Sequence, residues 1–291
     1  MIGALFWSLR PKQWPKNLLV LAGLVFSLNL FNLTDLLRSL AGLVAFCLLS
    51  GSVYIVNDLM DVEKDRLHPL KRLRPIASGR LQPGAARVAA AVAAILALAG
   101  GFVLDWRFGV VGLAYFVLEV AYSFRLKHVV VLDVMTVAAG FALRAVAGTV
   151  LVHVTISSWL FVCTILFALF VSLAKRRHEL VTLQDGGAGH RAVLENYSEP
   201  LLDQMMAVAT SATVIAYCLY TIAPETVAKF GTHSLMLTVP FVLYAVYRYL
   251  YLVYRKEMGG APEQALWGDL PLMVDVLLWM ASVVAIIYLR I

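Results

Sequence analysis

Residues 51–65 read Gly-Ser-Val-Tyr-Ile-Val-Asn-Asp-Leu-Met-Asp-Val-Glu-Lys-Asp. An apolar run over 39–57, long enough to cross a bilayer, passes directly into a cluster of carboxylates. Asn57, Asp61 and Asp65 are spaced i, i+4, i+8. Each four-residue step turns only about 40° further round a helix, so the three side chains are predicted to line one face. Asp58, three residues before Asp61, flanks them. Carboxylates stacked at this spacing repel one another, and a membrane edge makes the repulsion worse. Several hard oxygens without His or Cys suit Mg²⁺, which shares its shell with water and substrate phosphates. The face therefore reads as a Mg²⁺–diphosphate clamp with Asn57, Asp61 and Asp65 as ligands. The blander reading is a solvated acidic turn balanced by Lys64 and Arg66.

Working outward, the rest of the chain is equally apolar. Of 291 residues, 61% are hydrophobic and 14% charged, against roughly 45–50% and about 25% in soluble domains. This excludes an ordinary soluble enzyme, a disordered chain and a nucleic-acid module. Nine segments are long and apolar enough to span: 17–33, 39–57, 85–104, 108–124, 129–150, 157–174, 202–222, 233–254 and 270–290. The expected fold is all-α, a polytopic membrane bundle of about nine transmembrane helices in a single domain over 1–291. The three cysteines, Cys47, Cys163 and Cys218, lie inside apolar runs with no metal or disulfide spacing. Residues 1–16 carry Phe6, Trp7 and Trp14 and are interrupted by Pro11 and Pro15. They read as an interfacial entry segment, not a cleavable signal.

Charge sets the orientation. With the N-terminus cytoplasmic, 18 of the 24 Lys and Arg fall on that side, seven of them within 58–87, and four on the other. Such asymmetry is the positive-inside signal. It predicts a multi-pass protein of the cell (inner) membrane, with cytoplasmic active-site loops at 58–84 and 175–201. The net charge of +6 then needs no nucleic acid to explain it.

Three further clusters carry charge where charge is costly. The loop after the ladder, 66–80, holds Lys71, Arg72, Arg74 and Arg80 and could receive diphosphate or lipid headgroups. Tyr122, Lys127 and Asp133 gather around the next cytoplasmic turn, and Arg144 lies about 16 Å deeper along the same helix face as Asp133. An arginine at that depth is a candidate functional residue or a structural partner for Glu119 or Asp275. Lys175-Arg176-Arg177-His178-Glu179 could bind phosphate or pair with Asp185 and Glu195. The tyrosines of 217–254 read mostly as packing or belt residues.

The ladder on a nine-span bundle resembles the UbiA-type membrane prenyltransferase superfamily over nearly the whole chain. Within it, the sequence looks most like the polyprenyl-phosphate phosphoribosyltransferases, the decaprenyl type among them. The residues behind this are Arg10-Pro11-Lys12-Gln13-Trp14-Pro15-Lys16-Asn17, His68-Pro69-Leu70-Lys71-Arg72-Leu73-Arg74-Pro75, Tyr122 to Lys127 with Asp133, Gly140 to Gly148 around Arg144, and 175–179. One departure matters: the superfamily's second D-x-x-x-D is absent, since Val137 follows Asp133 at +4.

The resemblance implies Mg²⁺-dependent transfer of 5-phosphoribosyl from phosphoribosyl diphosphate to a polyprenyl phosphate, with release of diphosphate. Asp58, Asp61, Asp65, Lys127 and Asp133 would be the catalytic set. Lys16, Asn17, Lys71, Arg74, Tyr122, Arg144, Lys175 and Arg176 would bind substrate. A homo-oligomer is left open. The competing readings are prenyl transfer from a prenyl diphosphate to an aromatic or lipid acceptor, and a transporter using Glu119, Arg144, Arg248 and Asp275.

Overall fold

The computed structural model describes residues 2–67, 71–154, 157–184 and 192–289. Eight helical stretches among the described residues are long and apolar enough to cross a membrane: α1 (Leu33–Met60), α2 (Pro83–Leu104), α3 (Trp106–Phe124), α4 (Leu132–Leu151), α5 (Ser158–Gln184), α6 (Glu199–Ile222), α7 (Val239–Arg255) together with the 3₁₀ turn Ser234–Thr238 before it, and α8 (Leu270–Leu289). No strand occurs among the described residues. The chain forms two compact units: residues 1–156 with 183–196, and residues 157–182 with 197–291.

Local chemistry sets the helix limits. Asn32 accepts hydrogen bonds from the Thr34 and Asp35 amides and starts α1. Asp105 is extended, so it ends α2, and its carboxylate then accepts from the Arg107 and Phe108 amides to start α3. Both are side-chain oxygens satisfying first-turn N–H groups.

In the first unit, α2 inverts the pattern of a soluble helix. Ala86, Ala90, Ala94 and Ala97 are buried, while Val88, Val92, Ile95 and Leu96 are exposed. Small residues at helical spacing let backbones approach closely, and lipid solvates the large apolar ones. The central core gathers Phe46, Leu49, Phe108, Tyr115, Ala147 and Leu151.

The hydrophobic segment expected as a span at 17–33 is built differently from the other eight. Pro11–Leu21 is a 3₁₀ helix with Pro15 inside it, followed by a short α-helix over Ala22–Phe26. Leu28 then takes a positive φ of 66°. Proline removes a backbone donor, so the stretch around Pro15 is not regular α-helix, and the positive φ at Leu28 ends the helix inside the segment. What the segment gains is contact with α4. A Cβ on Gly23 would fall 2.5 Å from the Gly148 carbonyl, and one on Gly148 would fall 2.0 Å from the Val20 carbonyl oxygen. These backbones touch only because both residues lack a side chain.

In the second unit, Trp279 donates to the Tyr217 hydroxyl at 2.9 Å, and Tyr217 and Thr238 share a hydrogen bond of 2.7 Å. Tyr217, Tyr220 and Tyr249 are buried, whereas Tyr244, Tyr247, Tyr251 and Tyr254 are exposed. Arg248 grips Asp269 with both nitrogens, Nε at 3.0 Å and Nη2 at 2.8 Å. Asp269 also accepts from the Leu272 amide and so starts α8.

Two stability predictions follow from these contacts. Gly148→Ala should destabilise the protein by about 1–3 kcal/mol through overpacking. Gly84→Ala, which meets nothing within 4 Å, should be tolerated; thermal unfolding in detergent reads both. The second concerns pH. The Arg248 guanidinium, helped by the Leu272 amide, holds the Asp269 carboxyl below its ordinary range. A depressed carboxyl stabilises the fold fully above that range, and the contribution fades as pH falls through the folded value. Asp269→Asn should therefore narrow the gap in melting temperature between pH 7 and pH values below about 4.

Candidate active site

The ladder forms where α1 ends. The backbone bonds Asp61 N–H to Asn57 C=O (3.0 Å) and Asp65 N–H to Asp61 C=O (2.8 Å) are both made, so the i, i+4 register continues past the helix. Asp61 is the C-cap residue, and a short helix over Val62–Leu67 follows it. Asp58 and Asp65 are buried, and Asp61 is a quarter exposed.

Each carboxylate meets a cation from elsewhere in the chain. Lys127, buried in the turn between α3 and α4, places Nζ 3.0 and 3.1 Å from the two Asp61 oxygens. Arg74 donates through Nη1 to Asp58 at 3.0 Å and to Asp65 at 2.6 Å. Arg10 donates through Nη2 to the same Asp58 oxygen, and its guanidinium lies 4.8 Å over the Tyr54 ring. Glu63 pairs with Arg66 at the surface instead.

A small apolar cluster positions these cations. Ile76 and Leu81 of the basic loop pack with Ile55, Ala86 and Ala90, and Leu5 and Leu9 of the entry helix cover them. Gly79 (φ 76°) turns the loop, and Arg80 closes it by donating to the Leu73 carbonyl. Arg80 thus holds its own loop. Lys71 lies in a single 3₁₀ turn just before Arg74. His68, Pro69 and Leu70 lie outside the described residues.

A second network lies deeper in the same unit. Arg144 donates Nε to Asn17 Oδ1 at 2.8 Å and Nη2 to the Tyr115 hydroxyl at 2.7 Å. Tyr115 in turn hydrogen-bonds Glu119, which also feels the charge of Lys16. Asn17 passes its amide to Ser50 at 3.1 Å. One chain of polar groups therefore joins the entry segment, α1, α3 and α4. Of the two partners expected for Arg144, Glu119 lies in this network. Asn17 and Arg144 are both buried and spend these donors on one another and on their neighbours. Asp133 is fully buried in the first turn of α4, and Tyr122 lies half-buried near the end of α3.

The ladder residues, Arg74, Lys127, Asn17, Arg144, Asp133, Tyr122, Lys16 and Lys71 thus all belong to the first unit. Lys175 and Arg176 belong to the second. There Arg176 pairs with Glu179 one turn on, at 2.7 Å. Arg177 reaches Asp203 at 2.7 Å and Glu199 at 3.4 Å. Asp185, one of the two partners expected for this cluster, lies outside the described residues. Arg10 was missed as a site residue by sequence reasoning. Its position within the entry segment, directly before Pro11, was the available signal.

Among the described residues no three His, Cys, Asp or Glu side chains converge into a ready-made metal cage. The donor set of the ladder nonetheless fits Mg²⁺ chemically. It offers one amide and two carboxylate side chains in an i, i+4, i+8 register, leaving the rest of a six-oxygen shell to water and phosphate.

The model of the UbiA prenyltransferase family matches residues 17–268. The chain belongs to that family. It is 31% identical to a decaprenyl-phosphate phosphoribosyltransferase of Mycolicibacterium smegmatis, covering 99% of this chain and 93% of that one. It is 34% identical to a decaprenyl-phosphate phosphoribosyltransferase of Corynebacterium glutamicum, covering 97% and 86%. A UbiA homolog from Archaeoglobus fulgidus, solved bound to GPP and Mg²⁺, shares the fold with a TM-score of 0.74 and 18% identity over 98% of this chain and 99% of that one. As a UbiA member this is a multi-pass membrane transferase.

The Arg144 network yields a test of its own. Arg144→Met would leave Asn17, Tyr115 and Glu119 without their cation in a buried setting. Removing one partner of such a set costs about 3–5 kcal/mol, so the melting temperature should fall sharply, and more than for Arg72→Met on the exposed basic loop.

Proposed function

We propose that residues 1–291 act as one transferase that moves 5-phosphoribosyl from phosphoribosyl diphosphate to a polyprenyl (decaprenyl-type) phosphate and releases diphosphate. The likeness to decaprenyl-phosphate phosphoribosyltransferases over 97–99% of the chain carries this choice. Val137 at the +4 position from Asp133 supports it, since the second aspartate pair expected of prenyl transfer is missing. The charge asymmetry supports a site on the cytoplasmic face of the inner membrane.

Breaking the C1–O bond of the donor develops positive charge on the ribose and negative charge on the departing diphosphate. Lys127, already held at the ladder, would neutralise the leaving group. Asn57, Asp61 and Asp65 would hold Mg²⁺, which when bound supplies further charge neutralisation to that leaving group. The acceptor phosphate is ionised at neutral pH, so no residue needs to remove a proton from it. Asp133, buried beside the turn that carries Lys127, and Tyr122 would shape the ribose side. Direct displacement by the lipid phosphate predicts inversion at the anomeric carbon. The polyprenyl tail would stay in contact with lipid.

The test uses purified protein in detergent with labelled phosphoribosyl diphosphate, polyprenyl phosphate and Mg²⁺. Lipid-linked phosphoribose is expected, and Asp61→Asn should lower turnover of the folded protein by a factor of at least about 10². No lipid-linked product, together with turnover of a prenyl diphosphate, would establish prenyl transfer in its place.

A further inference from the structure

Asp58 is the most buried of the three paired ladder carboxylates, at 2% exposure, and it shares the Arg74 Nη1 with its neighbour Asp65. Its Oδ1 receives two guanidinium groups at once, Arg10 from the entry segment and Arg74 from the basic loop. Bringing two like charges to one oxygen costs energy in a low-dielectric setting. The cost is accepted at a further local expense: Arg10 adopts a left-handed backbone (φ 53°, ψ 63°), a conformation that is uncommon for a residue with a Cβ. The Tyr54 ring holds the Arg10 guanidinium in place.

Both guanidinium groups retain free edges. Among the described residues, Arg10 spends only Nη2 and Arg74 only Nη1 on hydrogen bonds. Their side chains are 24% and 26% exposed. Two forked donor edges therefore stand side by side, fixed from behind by a buried carboxylate. If Asp65 gives its charge to Mg²⁺, as the proposed function has it, the two guanidinium groups face Asp58 alone and one positive charge is left over.

We propose that Arg10 and Arg74, organised by Asp58, form a clamp for a phosphate monoester. Such a group carries close to two negative charges and three terminal oxygens, which match two adjacent forks better than a singly charged diester does. Asp58 is then a positioning residue and not a metal ligand. Two substrates of the proposed reaction carry this chemistry: the donor, through its 5-phosphate, and the lipid acceptor, through its terminal phosphate.

Calorimetry on the full chain in nanodiscs tests this without turnover. The probes are ribose 5-phosphate and geranyl phosphate, with ribose and geraniol as blanks. Wild type should bind one of the two phosphates, and Arg10→Met should weaken it by about 10- to 100-fold. Arg10→Lys preserves the ion pair with Asp58 but lacks the second donor edge, so it should bind no better than Arg10→Met. Loss confined to ribose 5-phosphate assigns the clamp to the donor, and loss confined to geranyl phosphate assigns it to the acceptor. Asp58→Asn should weaken the same probe and leave the Mg²⁺ midpoint for diphosphate binding within about twofold. The proposal is overturned if wild type binds neither phosphate, if Arg10→Lys restores wild-type affinity, or if Asp58→Asn moves the Mg²⁺ midpoint instead. Turnover assayed in parallel separates the two readings. Arg10-dependent monoester binding without phosphoribosyl transfer removes the reaction and keeps the clamp. Transfer with Arg10-independent binding removes the clamp alone.

Discussion

Three carboxylates within eight residues at the end of an apolar helix cannot be buried unless cations reach them. That constraint organises the first unit. Asp58, Asp61 and Asp65 draw in Arg10, Arg74 and Lys127, which come from the entry segment, the loop after the ladder and the α3–α4 turn. Each cation fixes the chain that carries it. The ladder therefore acts as the point on which three otherwise separate connections converge, and the same charges are the ones a diphosphate and a divalent ion would exchange with.

The deeper Arg144 network meets the same physical demand without a carboxylate in direct contact. A guanidinium with little access to water must find acceptors, and Asn17 and Tyr115 supply them. This ties the 3₁₀ segment carrying Asn17 to α4, where Gly23 and Gly148 already bring the backbones together. The segment that carries Arg10 and Lys16 is thus held from below by a polar contact and a close packing contact. Access to the ladder is left to residues that remain partly exposed.

Much of this was legible before any coordinates. Ladder spacing and apolar runs are local properties, and helix period and hydropathy translate them directly into a hydrogen-bond register and a span. The break at 17–33 was less legible, although Pro15 was in view, because hydropathy alone does not separate a continuous helix from a 3₁₀ segment packed on a neighbour. The role of Arg80 in closing its own loop and the membership of Arg176 in a local pair with Glu179 were hidden for a different reason. A basic residue near a phosphate-binding motif reads the same whether it faces a ligand or a carbonyl.

The sequence by itself determined a membrane-spanning all-α chain, an oxygen-rich face at 57–65 and membership in a family of transferases. Only the tertiary structure decided which cation meets which carboxylate. Arg10 and Asp58 are 48 residues apart, Lys127 and Asp61 are 66 apart, and Arg144 and Asn17 are 127 apart. No periodicity spans such separations. They are chosen by small residues that let backbones approach and by buried charges that have no stable position except beside a partner.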